Sequence, residues 1–501
     1  MKNLLKIAFV SGLMLSLGSC SEDLLDNSGV SGTSQPTQLL TSDQLSEAAE
    51  TNTDIPAAFI NGLYAQMIQF GSGGTTGHDD FGHKAYDVFG DMLSGDMALS
   101  VSTYGWYRAS ITEFQAPLDF TFGDNRQVWR YYYRIIRSAN TVIENLGGNS
   151  AVPTVDENKY AMGQAKAMRA HSYFYLAQYF QKEYNASEAI LPLYTEPINQ
   201  NLPKSTAEAV YNLMEQDLTD AIALLDGFNR SAKNQVNQDV AKGILAFVLG
   251  AKGGRDIDVA NLTQEVINSG NYTMLGAGDV TNCFCDVNSP SWMWGIDITE
   301  NNGLGLVSWW GQIDAWSYSY AWAGDYKVID ANLFAAIPST DARKAQFFNN
   351  PSNGRHLQPL FKFYASSQIG GTSTTVTADY VYMRIEEMYL LNAEANARAG
   401  FEGPARTSLK ALLDQRVPSS VYVDALSGQA LQDEIYLQTR IELWGEGKSF
   451  LAMKRNKATT VRGANHLSYV GDPIPYNDER MQFEIPQDEI QNNPFIGSQN
   501  Q

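Results

Sequence analysis

Cysteine is nearly missing from this chain, with three in 501 residues, so no disulfide framework holds it together. Cys283 and Cys285 stand two apart, a spacing too short for an unstrained mutual bridge, and one Cys-x-Cys supplies at most half a zinc site. They read as two small, half-buried residues. Positive charge is scarce as well: 35 Lys and Arg face 55 Asp and Glu, a formal charge of −20. That balance disfavours nucleic acid, anionic lipid surfaces and polyanions as primary partners, and it suits a neutral ligand. After residue 20 no stretch approaches 18 consecutive apolar residues, so no membrane-spanning helix is expected in the body.

Catalytic signatures are missing too. His-Glu-x-x-His, Gly-x-Ser-x-Gly and Gly-x-Gly-x-x-Gly do not occur, and Gly447-Lys448-Ser449 imitates a phosphate loop only at its end, since residue 442 is Glu where glycine is required. A glycosidase needs two carboxylates facing one bond, and nothing in an acidic chain singles out such a pair. No enzyme activity and no cofactor are expected. Acidic loops leave room for a structural calcium, without an EF-hand pattern. His78-Asp79-Asp80-Phe81-Gly82-His83 has metal-capable atoms, but in a Gly-rich stretch it reads as a solvated turn.

What is present begins with an address. Lys2 and Lys6, an apolar run from Ile7 to Leu17, and then Gly18-Ser19-Cys20 form a signal peptide too short to span a bilayer. Its end resembles the bacterial lipobox, which makes Cys20 the lipidation site and residues 1–19 the removed leader. Two or more acyl chains suffice for stable anchoring. Residues 20–50, rich in Ser, Gly, Thr and Gln, read as a flexible tether.

The rest is 44% hydrophobic and 18% charged in composition with the leader, which is ordinary for a folded protein. Apolar residues recur at three or four over about Lys159–Phe180, on more than one face, as in a helix packed between neighbours. Similar spacing predicts helices near Ile55–Phe70, Arg126–Leu146, Ala207–Leu225, Asp239–Ala251, Val259–Asn268, Arg384–Ala399, Pro404–Leu413 and Leu431–Arg455. Ser205 and Thr206 are candidate N-caps, and Gly270 and Gly400 are candidate stops. Ala241–Asn268 and Glu386–Leu413 each show an Ala-rich helix, a Gly-containing turn and a second amphipathic helix, like tetratricopeptide repeats. The fold class is therefore mainly α: a tetratricopeptide-like array of about four helix pairs, over 51–275 and 380–501. Residues 276–379 lose the period, apart from a short helical patch near Val328–Ile337, and form an irregular subdomain. A second irregular stretch runs from Gly71 to Gly123. Long ordered loops of this kind are usually functional.

Several segments resemble the SusD/RagB-like nutrient-binding lipoproteins of Bacteroidetes. They are Ala167-Met168-Arg169-Ala170-His171-Ser172-Tyr173-Phe174-Tyr175-Leu176, Arg384-Ile385-Glu386-Glu387-Met388-Tyr389-Leu390-Leu391-Asn392-Ala393-Glu394-Ala395, Glu442-Leu443-Trp444-Gly445-Glu446-Gly447-Lys448 and Ile485-Pro486-Gln487-Asp488-Glu489-Ile490-Gln491-Asn492-Asn493-Pro494. Their order behind a lipobox is what is specific. Ser21-Glu22-Asp23 is similar to the signal that sends such lipoproteins to the cell surface. Lys448 departs from the usual arginine, replacing a flat bidentate donor by a point charge with a structural consequence only. The resemblance implies glycan capture at the outer membrane and a SusC-like TonB-dependent transporter as partner.

Six of nine tryptophans, Trp292, Trp294, Trp309, Trp310, Trp316 and Trp322, fall within 31 residues beside Tyr318, Tyr320 and Tyr326. Flat rings can stack on the C–H face of a sugar while polar groups read its hydroxyls, and the alternative is a loop subdomain that uses rings as its core. A second aromatic patch is Tyr104-Gly105-Trp106-Tyr107-Arg108. Both regions border the ligand site in the family. The expected ligand contacts are Trp106, Trp309, Trp310 and Trp316, with Asp96, Asn301 and Arg108 as hydroxyl partners. Peptide capture by a RagB-like lipoprotein and a structural surface adhesin remain alternatives to glycan binding.

Overall fold

The computed structural model describes residues 48, 52, 54–365 and 374–500. Cys20, the leader and most of the tether lie outside the described residues. Among the described residues no helix is long and apolar enough to cross a membrane.

The long helices follow the apolar spacing closely. They are α1 (Asp54–Ala65), α2 (His83–Leu93), α3 (Gly123–Asn145), α4 (Asp156–Phe180), α5 (Ala207–Leu224), α6 (Gln238–Lys252), α7 (Asp256–Asn268), α8 (Ile385–Arg398), α9 (Glu402–Leu413), α10 (Gly428–Glu442) and α11 (Ser449–Arg455). From Ala161 to Phe180 every residue of α4 is buried, because α3 covers one flank and α5 the other. The stacking continues in sequence order: α5 on α6, α6 on α7, α7 on α8, and α8 on both α9 and α10. Each helix hides on its neighbours the apolar stripe that it cannot hide alone. Caps agree with the sequence, since the Thr206 hydroxyl accepts from Ala209 N at 3.2 Å and Gly270 and Gly400 take left-handed backbone.

Three expectations change. The predicted helix Leu431–Arg455 is two helices, broken where Gly445 and Gly447 take φ of 78° and 77°. Gly447 has no substitute there: a Cβ would meet the Asp87 carboxylate at 2.1 Å, and its N–H donates to Asp91 Oδ2 at 3.0 Å. The stretch Gly71–Gly123 is less irregular than expected, because α2 runs through it. Every side of α2 is enclosed, so its polar residues are core residues. Lys84 pairs with Asp87 at 2.8 Å, and such a helix has no polar face to reveal its period. Cys283 and Cys285 form a disulfide, with Cα atoms 5.2 Å apart. Phe284 between them adopts φ 50°, a left-handed turn that brings both side chains to one side and makes the short spacing bridgeable.

The insertion between α7 and α8 is tied to the array by strands. Between α4 and α5 the short strands β2 (Ala189–Pro192) and β3 (Lys204–Thr206) pair with each other; in the insertion, β4 (Trp292–Ile296) pairs antiparallel with β6 (Tyr380–Arg384), which runs directly into α8. Strand β1 (Met97–Ser102), just after α2, pairs with β5 (Asp325–Ile329), Met97 facing Ile329 and Ser102 facing Asp325. The patch expected to be helical near Val328–Ile337 is thus the end of β5 followed by a short helix, Ala331–Ala336.

Below the insertion lies a closed ionic network. Arg384 reaches Glu446 and Glu442 at 2.7 Å each and Glu386 at 3.2 Å. Arg416 and Arg343 also meet Glu442, at 2.8 and 3.1 Å, and Lys362 meets Glu446 at 2.8 Å. With Asp341 on Arg343, four cations balance four carboxylates. Burial alone would raise the Glu442 carboxyl, but Arg416, Arg384 and Arg343 outweigh it and hold the group well below its ordinary range. Removing one partner strands charge in a dry interior. Arg384→Ala is expected to cost about 3–5 kcal/mol of stability, read as a lower midpoint in chemical denaturation; a variant as stable as the parent would refute this role.

Candidate functional site

The β1–β5 ladder brings two aromatic loops together. After β1 the chain turns through Thr103 and Tyr104, whose backbone N–H groups both donate to Asp325 Oδ1, at 2.6 and 2.8 Å. Thr103 also bonds Gly324 O through its backbone and its hydroxyl. Gly324 sits at φ 122°, and a Cβ there would lie 2.4 Å from the Thr103 hydroxyl. Only glycine lets the loops approach this closely. Tyr107 then takes φ 65° with its ring in the core, while Trp106 is half-buried at the core's edge.

From the other side, Asp314 holds the loop before β5. Its carboxylate accepts from Trp316 N at 2.9 Å and Ala365 N at 3.2 Å, and burial pushes its pKa up to about 6. The loop ends in the short helix Tyr320–Ala323, capped by Ser319. The result is a cluster of rings. Trp106 stacks on His78, centroids 5.1 Å apart and 4° from parallel. Tyr320 stands edge-on to His78, Trp106 and Tyr104. Tyr318 and Trp322 form a tilted pair beside them. Tyr104, Tyr318 and Trp322 are 57%, 44% and 38% exposed, so three rings offer faces to solvent while Tyr320 is nearly covered.

Hydrogen bonds order this cluster. Tyr320 Oη and His78 Nδ1 are hydrogen-bonded at 2.5 Å. The His78 carbonyl is held by Gln312 Nε2 at 2.9 Å, and Gln312 Oε1 accepts from Lys327 Nζ at 2.7 Å. Lys327 is sealed under Tyr107, its Nζ 5.0 Å from the ring centre, and burial lowers its pKa to about 7. Next to His78, Asp79 meets Asp124; burial raises both carboxyls, Asp124 well above its ordinary range. The site therefore rests on a dry polar floor. The expected solvated turn at His78–His83 is wrong for this reason: Asp79, Asp80 and His83 are all buried. Among the described residues no group of three His, Cys, Asp or Glu side chains could hold a metal ion.

The predicted site residues divide. Trp106 is in the cluster, and Arg108 lies beside it, exposed and paired with Glu113 at 3.1 Å. Trp309 and Trp310 are 2% and 0% exposed; they stand edge to face at 4.9 Å, with Lys84 over Trp309. Neither presents a face to solvent, so the expectation that they stack on a ligand gives way to a core role. Trp292 and Trp294 are equally buried. Trp316 is half-buried against Ala321 and Leu360, its N–H donating to Leu360 O at 2.9 Å. Asp96 is corrected too. It is buried, ion-paired with Arg440, and unable to meet a ligand hydroxyl. Asn301 is exposed on the turn Glu300–Asn302, whose Asn302 borders a different cleft. His78 joins the ring cluster without having been expected there, and Tyr320, expected only as one ring of the region, lies at its centre. His78 lies in a Gly-rich run that resembles a free turn, and only the fold reveals Gln312 and Tyr320 around it.

Inner and outer rings should behave oppositely. Trp310→Ala is expected to cost about 3–5 kcal/mol in unfolding experiments, whereas Trp322→Ala should stay within about 0.5 kcal/mol of the parent. Equal losses would contradict the division.

Two family models match the chain: one described as "Starch-binding associating with outer membrane" over residues 85–248, and the SusD family over residues 318–501. Among curated proteins none matches. Solved structures share the fold. A SusD-like carbohydrate binding protein from Bacteroides vulgatus has 23% identity and a TM-score of 0.75, covering 89% of this chain and 97% of its own. A SusD superfamily protein from Bacteroides thetaiotaomicron has 22% identity and a TM-score of 0.73, with coverage of 90% and 100%. Surface glycan-binding protein A from Bacteroides uniformis has 16% identity and a TM-score of 0.67, with coverage of 90% and 99%.

Proposed function

Because the chain belongs to the SusD/RagB-like family, we propose that it binds glycan at the cell surface without cleaving it and passes it to a SusC-like TonB-dependent transporter. The observation that carries this reading is the ring cluster of Tyr104, Trp106, Tyr318, Tyr320 and Trp322. Exposed faces of Tyr104, Tyr318 and Trp322 offer flat apolar surface to sugar C–H groups, and the Arg108 guanidinium offers donors to the hydroxyl rim. The loops are fixed beforehand by Asp325, Asp314 and Gln312, so little ordering entropy is lost on binding. Several separate rings on an exposed surface suit an oligosaccharide or polysaccharide lying across them. The acidic surface favours neutral sugars.

Binding is read by titrating the mature protein with a panel of soluble oligosaccharides and following tryptophan fluorescence. At least one glycan is expected to change it, and Trp106→Ala and Tyr104→Ala are each expected to weaken that glycan about tenfold, or ~1.4 kcal/mol. A panel without a response, or variants that bind like the parent, would defeat the proposal; peptides that bind in place of glycans would favour the peptide-capturing reading.

Anchoring through Cys20 belongs to the same proposal, with acyl chains holding the protein at the outer membrane. Cys20→Ala is expected to release it into the soluble fraction, and continued co-fractionation with membrane would rule the anchor out.

A further inference from the structure

A second recognition surface lies on the loop 229–235 between α5 and α6. Most cations of this chain meet a carboxylate, but Arg230 and Lys233 do not follow that pattern. Among the described residues Arg230 Nη1 donates to Gln235 O at 3.1 Å and Lys233 Nζ to Ser289 O at 2.6 Å, both neutral carbonyls. Both side chains are half-buried. Burial lowers the Lys233 pKa, and the neighbouring Arg230 lowers it further. Two positive groups thus stand close enough to repel each other, in an arrangement that one anion between them would complete.

They face a cleft of about 960 Å³ with unusual walls. Seven asparagines line it, among them Asn229, Asn271 and Asn288, together with the rings of Phe228 and Tyr272, while Asp297 is the single carboxylate of the lining. An asparagine carries two N–H donors and one acceptor oxygen; the amides of Asn271 and Asn288 each donate to a carboxylate, Asp239 and Asp286, which fixes their orientation and leaves each amide a second N–H and its oxygen for hydroxyls. The loop is not free to drift. Its Lys233 carbonyl accepts from Gly295 N at 3.2 Å and its Asn234 carbonyl from Trp294 Nε1 at 2.8 Å, both on β4. Gln235 Oε1 accepts from Ser231 N and Ala232 N, at 2.9 and 3.3 Å. The two cations are therefore presented from a pinned backbone.

We infer that this cleft is a second saccharide subsite and that it takes a sugar residue bearing a carboxylate, with Arg230 and Lys233 on the carboxylate and the asparagines on the ring hydroxyls. The inference rests on the glycan-binding reading for its ligand class. The negative charge of the whole chain does not oppose it, since exposed charges farther than about 10 Å are largely screened at physiological salt; Asp239 and Asp286 lie close enough to act on Arg230 and Lys233, but neither lines the cleft, where the two cations face the single carboxylate of Asp297. A guanidinium beside an ammonium is also the donor set that grips a carboxylate most firmly.

The test uses the mature full chain and two probes that differ in one group: a tetrasaccharide of galacturonate, and the same tetrasaccharide with its carboxyls reduced to alcohols. Calorimetric titration at low salt is expected to show the acidic form binding at least tenfold more tightly, with the preference shrinking in 0.5 M salt, on the order of what screening dictates. The double variant Arg230→Gln with Lys233→Gln should lose the preference, and Arg230→Lys, which keeps the charge, should retain part of it and report on folding. Equal binding of the two probes would overturn the inference, as would a preference that survives in the double variant. Loss of acidic binding in Trp106→Ala would assign it to the aromatic cluster and overturn it too, as would tighter binding of an alternating Glu–Ser octapeptide than of galacturonate. A panel of neutral glycans that fails while the acidic preference stands would defeat the aromatic site alone, so the two failures are separable.

Discussion

Eight charged side chains shut away from water form the joint between the helical array and its insertion. Arg384 enters from the start of α8, Glu442 and Glu446 from the end of α10 and the turn after it, Arg416 from beyond α9, and Arg343, Asp341 and Lys362 from the insertion, with Glu386 closing the set. Such a network adds little net stability over apolar packing, because desolvation offsets most of the attraction. What it does fix is geometry: in the observed placement every one of the eight charges meets an opposite partner. The loop-rich insertion has a small amount of regular structure of its own, and it takes its position from this joint and from the β1–β5 and β4–β6 pairings.

That positioning explains the division among the tryptophans. Trp292, Trp294, Trp309 and Trp310 fill the space under the insertion, making a floor of interlocked rings for a region without long helices. The outer rings, Tyr104, Tyr318 and Trp322, stay exposed and pack on Tyr320 and on one another. Large aromatic side chains therefore divide within a short span of sequence: some supply the core that the loops cannot otherwise form, and others keep a face in solvent.

The helical part of the fold was legible because its apolar residues repeat at three and four, and nearly all expected helices were found within a few residues of their predicted ends. The helix α2 was not legible. It is buried on every side, and its His83, Lys84, Asp87 and Asp91 have partners that only the tertiary structure supplies. The candidate site was legible as two regions, one around Trp106 and one between 292 and 322, but not residue by residue. Ring identity carries no information about which way a loop side chain faces, so Trp309 and Trp310 looked like Trp322. Asp96 failed for a related reason: its partner Arg440 lies 344 positions away. Two of the four family motifs, by contrast, meet at the joint: Arg384 and Glu386 belong to one and Glu442 and Glu446 to another, so those two mark how the array holds its insertion.

The clamp of Thr103 and Tyr104 on Asp325 spans more than 220 positions of chain. Contacts so remote in sequence must wait for most of the polypeptide to be made, and closing so long a loop is slow compared with winding a helix. The helices from α1 to α7 can pack early, whereas the ring cluster has no form until the segment after Trp316 arrives. A chain halted before that point would carry Trp106 on an unsupported loop. Competence to recognise a ligand is thus among the last properties this protein acquires as it folds.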